Sequence, residues 1–465
     1  MRSFFVILFA LVSLIAVANA GAQECGVPEA STWRNDVFAD FTVTPGAIRD
    51  AVVRADAARA SGNVKSVITS THIELADFDA RSWRRVRGMD GRDAWQVVIQ
   101  SEGATFLRAH FTAYDFEDGA VVVYAPEDTA VTSVVDRRRL PDGEGLWSPI
   151  VEGDTMVIEV RASADELPSL VVDRLSHGLP GAFVRTKEQR CHVDVNCDAA
   201  WSERKSGVGL MQFEVFGFGS GCTGSLIADM PETGRPWFLS ANHCLSDQST
   251  ADTLVVFWNY ETDACNGTVP SLAGLPQSAG AEYVAGNALS DFTLLSLAQD
   301  PPAGTYHLPL SLDPLAGGEA ITVVHHPDLT HKRITYGNQL GDAGTHWTVK
   351  YYEGSTEGGS SGSPLFNAQN EIVGQLTGGG AACSRMFLTD RFGKVSMSWD
   401  RGLSDYLSTI PTGYTTTTTT VPPGDDDDDW FPDDDTGDDD VSDDDASEDN
   451  DGDSGDDDDD DGCGC

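Results

Sequence analysis

Between residues 188 and about 412 the chain is broken into short apolar segments, each closed by glycine, proline or asparagine. Gly207–Phe213, Trp237–Ser240, Leu254–Trp258, Phe292–Leu297, Ala320–Val324, Trp347–Tyr351 and Ile372–Leu376 follow one another in this way. Many short strands at such spacing predict an all-β barrel or sandwich. A helix is expected at the end, over Leu403–Thr409. Residues 21 to 187 show strand-like alternation at Ala94–Ile99, Thr105–Phe111, Ala120–Tyr124 and Thr155–Val160, again between turn signals. The Ala/Arg-rich segment Ile48–Ala60 reads as a helix. This first region is expected to be a small antiparallel β domain, and no cluster of His, Cys or Ser near its turns suggests chemistry.

The ends of the chain differ from its body. Met1-Arg2-Ser3 is a short positive start, Phe4–Val17 is an apolar run, and Ala18-Asn19-Ala20 is a small-x-small site. Residues 1–20 therefore read as an export signal; the competing reading, a membrane anchor, needs a longer run. At the other end, residues 411 to 424 form a Thr/Pro-rich linker and Asp runs follow. The net charge is −44, but 24 of the acidic residues and no basic one fall between Asp425 and Asp461, so more than half of the imbalance is local. Such a tail buries no apolar surface, repels itself and is expected to be disordered. The rest is moderately acidic without a basic face, which excludes nucleic acid as a partner.

Export makes disulfides the expected state of the cysteines. Six of the nine (Cys191, Cys197, Cys222, Cys244, Cys265 and Cys383) lie between 191 and 383, with Cys25, Cys463 and Cys465 outside the set. None is spaced C-x-x-C, which argues against zinc, and six cysteines allow fifteen pairings among which spacing does not choose.

Three stretches carry candidate chemistry. Glu357–Phe366, EGGSSGSPLF, sets serines among glycines ahead of an apolar segment. Glycines there let backbone amides turn toward a developing oxyanion, although a flexible loop has the same composition. Phe238–Cys244 delivers His243 from an apolar strand directly before a cysteine, and Leu289–Leu297 places Asp291 just ahead of another strand. Singly, these read as a structural histidine beside a bridge and a turn aspartate. Together, in the order His, Asp, Ser, they supply a base, its orienting carboxylate and a nucleophile in chymotrypsin order.

At these motifs the chain resembles the trypsin-like serine endopeptidases, and within them the bacterial lysyl endopeptidase branch. CTGSLIADMPETGRPWFLSANHC, FWNYETDAC, SDFTLLSL, GSSGSPLF and VGQLTGGGAAC carry the resemblance over about 190 to 410, and GLWSPIVEGDTMVIEV resembles the propeptide of the same enzymes. The resemblance implies a signal peptide (1–20), a β-rich propeptide domain (21–187), a chymotrypsin-like double six-stranded β-barrel (188–412) and a linker with a disordered acidic tail (413–465). It implies a secreted, monomeric serine endopeptidase that acts on proteins or peptides after Lys, with Arg as a second choice, through an acyl-enzyme and without metal or organic cofactor. Ser361 is then the nucleophile, His243 the base, Asp291 its orienting group, and the N–H groups of Gly359 and Ser361 the oxyanion hole. Ser363 and Pro364 start the next strand. The implied disulfides are Cys222–Cys244, Cys191–Cys383 and Cys197–Cys265.

The resemblance extends to specificity. Ser355 holds the position that is acidic in pancreatic trypsin-like enzymes, whereas LTDRFGKVSMSW places Asp390 on the acidic position of the lysyl endopeptidases. A buried carboxylate there selects a cationic side chain; the competing reading is a surface turn beside Arg391. Thr377, followed by Gly378, stands where those enzymes carry a histidine packed with a tryptophan, for which Trp347 is the loosely aligned counterpart. Loss of that histidine weakens the expected preference for Lys over Arg. In VRTKEQRC, Lys187 and Arg190 offer self-cleavage sites before Cys191. The tail's spaced carboxylates suit weak calcium binding, against the plainer reading of a solvated polyanion. Cys463-Gly-Cys465 resembles the cysteine pair of some bacterial surface-sorting tails. A silent protein of the same fold and a calcium-dependent surface-binding protein are the alternatives to an enzyme.

Overall fold

The alternating segments of the first region form two facing sheets. The computed structural model describes residues 39–60, 67–75, 83–87, 93–115, 119–135, 145–162, 169–183, 191–230 and 233–407. The export signal, Cys25, the 184–190 connection, the linker and the acidic tail lie outside these residues.

One sheet runs Phe41–Thr42, Asp93–Gln100, Thr155–Ala162, Gly119–Ala125, Asp128–Val135. The other contains Val67–Glu74, Ser169–Gly178, Phe106–Asp115 and Leu146–Trp147. Their inward positions interleave, Val97, Ile99, Met156 and Ile158 sharing one core with Leu107, Phe111 and Leu175. Pairing is antiparallel as expected except that Phe41–Thr42 runs parallel to Ile99–Gln100. The helix spans Pro45–Ala60, three residues longer than expected at its start. Proline suits a first turn, where no N–H is needed, and Thr44 Oγ1 accepts from Ala47 N at 3.2 Å.

Two closed barrels follow. The first runs Val208–Val215, Phe218–Leu226, Trp237–Ala241, Phe292–Leu297 and Ala281–Asn287, and returns through Gln277–Ala279 and Val255–Phe257 to Val208–Val215. Gly280, at φ +68°, bends the 277–287 segment so that its halves serve different neighbours and the barrel closes with six strands. The second links Arg333–Asp342, Ala320–His325, Pro364–Phe366, Ile372–Gly379, Asp390–Lys394 and His346–Glu353, which pairs back with the first of these. Each barrel has its own core: Met211, Phe213, Phe238 and Trp258 in one, Val323, Val349, Leu365 and Phe392 in the other. A third cluster, with Leu239, Phe292, Ile334, Phe366 and Trp399, seals the seam between them. Of the helix expected over Leu403–Thr409, Ser404–Leu407 is present, residues 408 and 409 lie outside the described residues, and Leu407 plugs into this seam. The double six-stranded barrel is therefore present, and the predicted strands recur: Phe292–Leu297 matches at both ends, Leu254–Trp258 is trimmed to Val255–Phe257, and most of the others are longer at one or both ends.

The two regions are continuous in hydrogen bonding. Val67–Thr71 of the N-terminal domain pairs antiparallel with Phe218–Gly221 of the first barrel.

Candidate active site

Strand register explains the first pair of site residues. Trp237–Ala241 and Phe292–Leu297 are neighbours, with Ala241 opposite Phe292, so the residues just beyond those ends meet. His243 Nδ1 donates to Asp291 Oδ2 at 2.8 Å, and the His243 backbone N–H donates to Oδ1 at 2.9 Å. This assigns the proton to Nδ1 and leaves Nε2 as the basic nitrogen. Asp291 is 5 % exposed and sits at φ +53°, a left-handed position that aspartate tolerates better than most residues. Its neighbour Ser290 is tied to the second barrel, accepting at its carbonyl from Gln375 Nε2 at 2.6 Å. The Cys222–Cys244 bridge fixes the backbone immediately after the imidazole.

The serine-rich loop enters from the second barrel. Thr223 of the first barrel holds it twice, donating from N to Ser361 O and from Oγ1 to Gly359 O, both at 2.9 Å. Gly359 and Gly362 have φ +86° and +81°, and a Cβ on Gly362 collides with Ser240 Oγ, in the strand that delivers His243. Both glycines are thus required by conformation and by space. The three serines separate by burial. Ser360 and Ser363 are buried, whereas Ser361 is partly exposed. Ser360 Oγ is bonded to His325 Nδ1 at 2.8 Å, and His325 Nε2 to Thr335 Oγ1 at 2.9 Å. Burial holds the His325 pKa well below the usual range, so this imidazole is a neutral structural group. Glu357 is structural as well, its Oε1 accepting from Cys383 N at 2.8 Å.

Asp390 is a buried carboxylate, 1 % exposed, not the alternative surface-turn residue. It accepts from Thr356 Oγ1, from Tyr351 Oη at 3.1 Å and from Ala381 N at 3.1 Å. Burial raises its pKa despite these donors. Ser355, the other position considered, is buried and neutral. Gly378, at φ +134°, faces open space, while a Cβ on Gly379 would stand 2.5 Å from Asp390 Oδ1. The same Cβ would stand 2.5 Å from the Thr389 carbonyl oxygen, so a side chain at 379 forces both the neighbouring backbone and the Asp390 carboxylate to move.

Trp347 departs from expectation. Its ring lies in the second-barrel core, 3 % exposed, with Nε1 donating to Val373 O at 3.1 Å, because its strand alternation points it inward. The imidazole beside Thr377 is instead that of His346, whose Nε2 is 3.1 Å from Thr377 Oγ1 and whose Nδ1 is 2.8 Å from Thr345 Oγ1. Burial lowers the His346 pKa, with the Asp291 charge acting in the opposite sense. Sequence reading missed His346, although it precedes an apolar segment as His243 follows one.

The disulfides are Cys191–Cys383, Cys197–Cys265 and Cys222–Cys244, the pairing implied by resemblance. Among the described residues one His/Cys/acid grouping is compact enough to hold a metal, Cys191–His192–Cys383, and its two sulfurs are joined to each other.

Two closed six-stranded barrels, with the His243–Asp291 pair on one and the Ser361 loop on the other, form the chymotrypsin fold. The family model of the lysyl endopeptidase C-terminal domain matches residues 186–393, and that of the lysyl endopeptidase N-terminal domain matches 53–179. Together they take in most of the chain, which belongs to the lysyl endopeptidase family. A lysyl endopeptidase of Pseudomonas aeruginosa is 29 % identical over 322 residues, covering 62 % of this chain and 69 % of the relative. Among solved structures, a Glu endopeptidase in complex with MPD aligns at 15 % identity and TM-score 0.33, over 44 % of this chain and 92 % of that one. The active form of the Rv3671c protease from M. tuberculosis aligns at 14 % and TM-score 0.33, over 49 % and 95 %.

Proposed function

We propose that the chain is a secreted lysyl endopeptidase made as a precursor, with His243, Asp291 and Ser361 as its triad. The observation that carries the specificity is the buried Asp390 carboxylate beside the glycine strand 378–379. In this reading Ser361 Oγ attacks the peptide carbonyl, and His243 Nε2 takes its proton and returns it to the leaving amine. Asp291 holds the Nδ1–H tautomer and stabilises the imidazolium. The N–H groups of Gly359 and Ser361 stabilise the oxyanion, which contributes about 2.7–4 kcal/mol per donor in enzymes of this kind. Water then hydrolyses the acyl-enzyme by the same route.

Asp390 accepts the cation of the residue before the scissile bond. An ammonium that reaches Asp390 meets a carboxylate already desolvated, so their contact is strong and an uncharged side chain leaves the carboxylate without its cation. Thr377 and Gly378 border the bound chain, and with Thr377 in place of histidine Arg is accepted beside Lys. The N-terminal domain serves as propeptide, released by cleavage after Lys187 or Arg190.

A fluorophosphonate probe tests the nucleophile. After proteolytic digestion of the labelled protein, the expected adduct maps to Ser361 and is absent after brief heat unfolding; an adduct on another serine, or none on the matured enzyme, overturns the assignment.

A further inference from the structure

The protease domain presents three acceptors to a single guanidinium of the N-terminal domain. Arg108 Nη1 donates to Gln212 Oε1 at 2.8 Å and to Glu214 Oε1 at 2.9 Å, and Nη2 donates to Thr253 O at 3.0 Å. Its Nε is used within its own domain, by Ser148 O at 2.7 Å. The acceptors are themselves fixed: Gln212 Nε2 donates to Glu214 Oε1 at 3.0 Å, and Glu214 N donates to Thr253 Oγ1 at 2.8 Å. The N-terminal domain adds two further groups beside the guanidinium: His72 Nε2 lies 3.0 Å from Glu214 Oε2, and Ser176 Oγ donates to both Glu214 oxygens. The ion pair is buried, with side chains 1 % and 2 % exposed, and the Trp147 ring stands 5.8 Å from the guanidinium carbon. Burial alone would raise the Glu214 pKa; the His72 hydrogen bond and the Arg108 charge outweigh it and hold it at about 2.

Other contacts accompany this one. The Val67–Thr71 ladder on Phe218–Gly221 ends where Val67 approaches Gly358, at the start of the serine loop. Glu152 accepts from Ser271 Oγ at 2.7 Å and from Leu272 N at 2.8 Å. The ladder is main-chain bonding that a solvated edge replaces with water, and Glu152 meets a partly exposed loop. Removing one member of a buried ion pair, in contrast, strands a desolvated charge.

We propose that Gln212, Glu214 and Thr253 form a guanidinium-binding site on the protease domain, that Arg108 is its occupant, and that this site determines whether the N-terminal domain stays bound after the connection between the domains is cut. The inference rests on the reading of residues 21–187 as a propeptide. Once the domain leaves, Glu214 is exposed beside an open strand edge, and rebinding requires the same arginine.

The test uses the full chain carrying Ser361→Ala, with a site for an unrelated specific protease placed within 184–190. After cutting, gel filtration over a dilution series and mass spectrometry of the fractions measure whether the two pieces travel together. The unsubstituted pair is expected to co-elute into the nanomolar range. Arg108→Met and Glu214→Gln are each expected to raise the dissociation constant about a hundredfold or more. The exchange Arg108→Glu with Glu214→Arg is expected to recover at least part of that loss. Unchanged elution before cutting, with unchanged circular dichroism, establishes that each variant folds. Dissociation constants for both single variants within threefold of the unsubstituted pair overturn the proposal. The propeptide reading is tested separately with Ser361 intact: an uncut chain that degrades protein as fast as the matured enzyme contradicts that reading without altering the binding result.

Discussion

Replacing Ser361 with alanine is expected to lower kcat by about 10⁶-fold, to the level supported by oxyanion stabilisation and binding alone. Stability should change by no more than about 0.5 kcal/mol, because Ser361 is partly exposed. The informative comparison is Ser360→Ala. Ser360 donates or accepts a buried hydrogen bond with His325 and is packed at 0 % exposure. Its loss leaves an imidazole nitrogen unsatisfied and is expected to destabilise the protein by about 1–3 kcal/mol while activity survives. Urea unfolding and initial rates on both variants separate the roles. A Ser361→Ala enzyme of near-normal kcat, or a Ser360→Ala enzyme that is inert though folded, contradicts the assignment.

Asp390→Asn is the second large effect. The amide retains the shape of the carboxylate but carries no charge, so an incoming ammonium is desolvated without compensation. The expected loss in kcat/KM for a Lys substrate is about 3 kcal/mol or more, roughly a hundredfold or greater, with little change for an uncharged side chain at the same place. Stability responds in the opposite sense. The Asp390 pKa is raised by burial, so the folded state holds its proton more tightly than the unfolded chain. Stability is therefore lost as the pH rises from the ordinary aspartate value toward the raised one, and the Asn variant lacks that loss. Unfolding curves at acid and neutral pH should show a smaller decline for the variant. An equal loss of activity on charged and uncharged substrates would assign Asp390 a purely structural role.

The parts of the site legible in sequence are those whose chemistry is written locally. His243 stands beside a cysteine that becomes a bridge, and Asp291 opens a strand that pairs with the one before His243, so proximity follows from register once the barrel closes. Ser361 is singled out by glycines that need positive φ. Asp390 is identifiable by resemblance alone, since its burial depends on Tyr351 of the neighbouring strand and Thr356 of the loop that follows it. Trp347 was misplaced because alternation along His346–Glu353 sets which side chain enters the barrel, and a shift of one residue exchanges His346 for Trp347. The Arg108–Glu214 pair was not legible at all. Its members are 106 positions apart in separate domains, and each alone has the appearance of a surface charge on a strand. Likewise, the joining of Val67–Thr71 to Phe218–Gly221 is a property of two edges, and neither segment encodes its neighbour.

A map of cleavage sites tests the roles of Ser361 and Asp390 most directly. The matured enzyme and its Ser361→Ala counterpart are incubated with a denatured protein mixture, and every new terminus is identified by mass spectrometry. Cuts are expected after Lys, with a smaller set after Arg, all absent from the Ser361→Ala sample. Cuts after uncharged or acidic residues that depend on Ser361 would contradict the role given to Asp390, and cuts that persist without Ser361 would contradict the catalytic site itself.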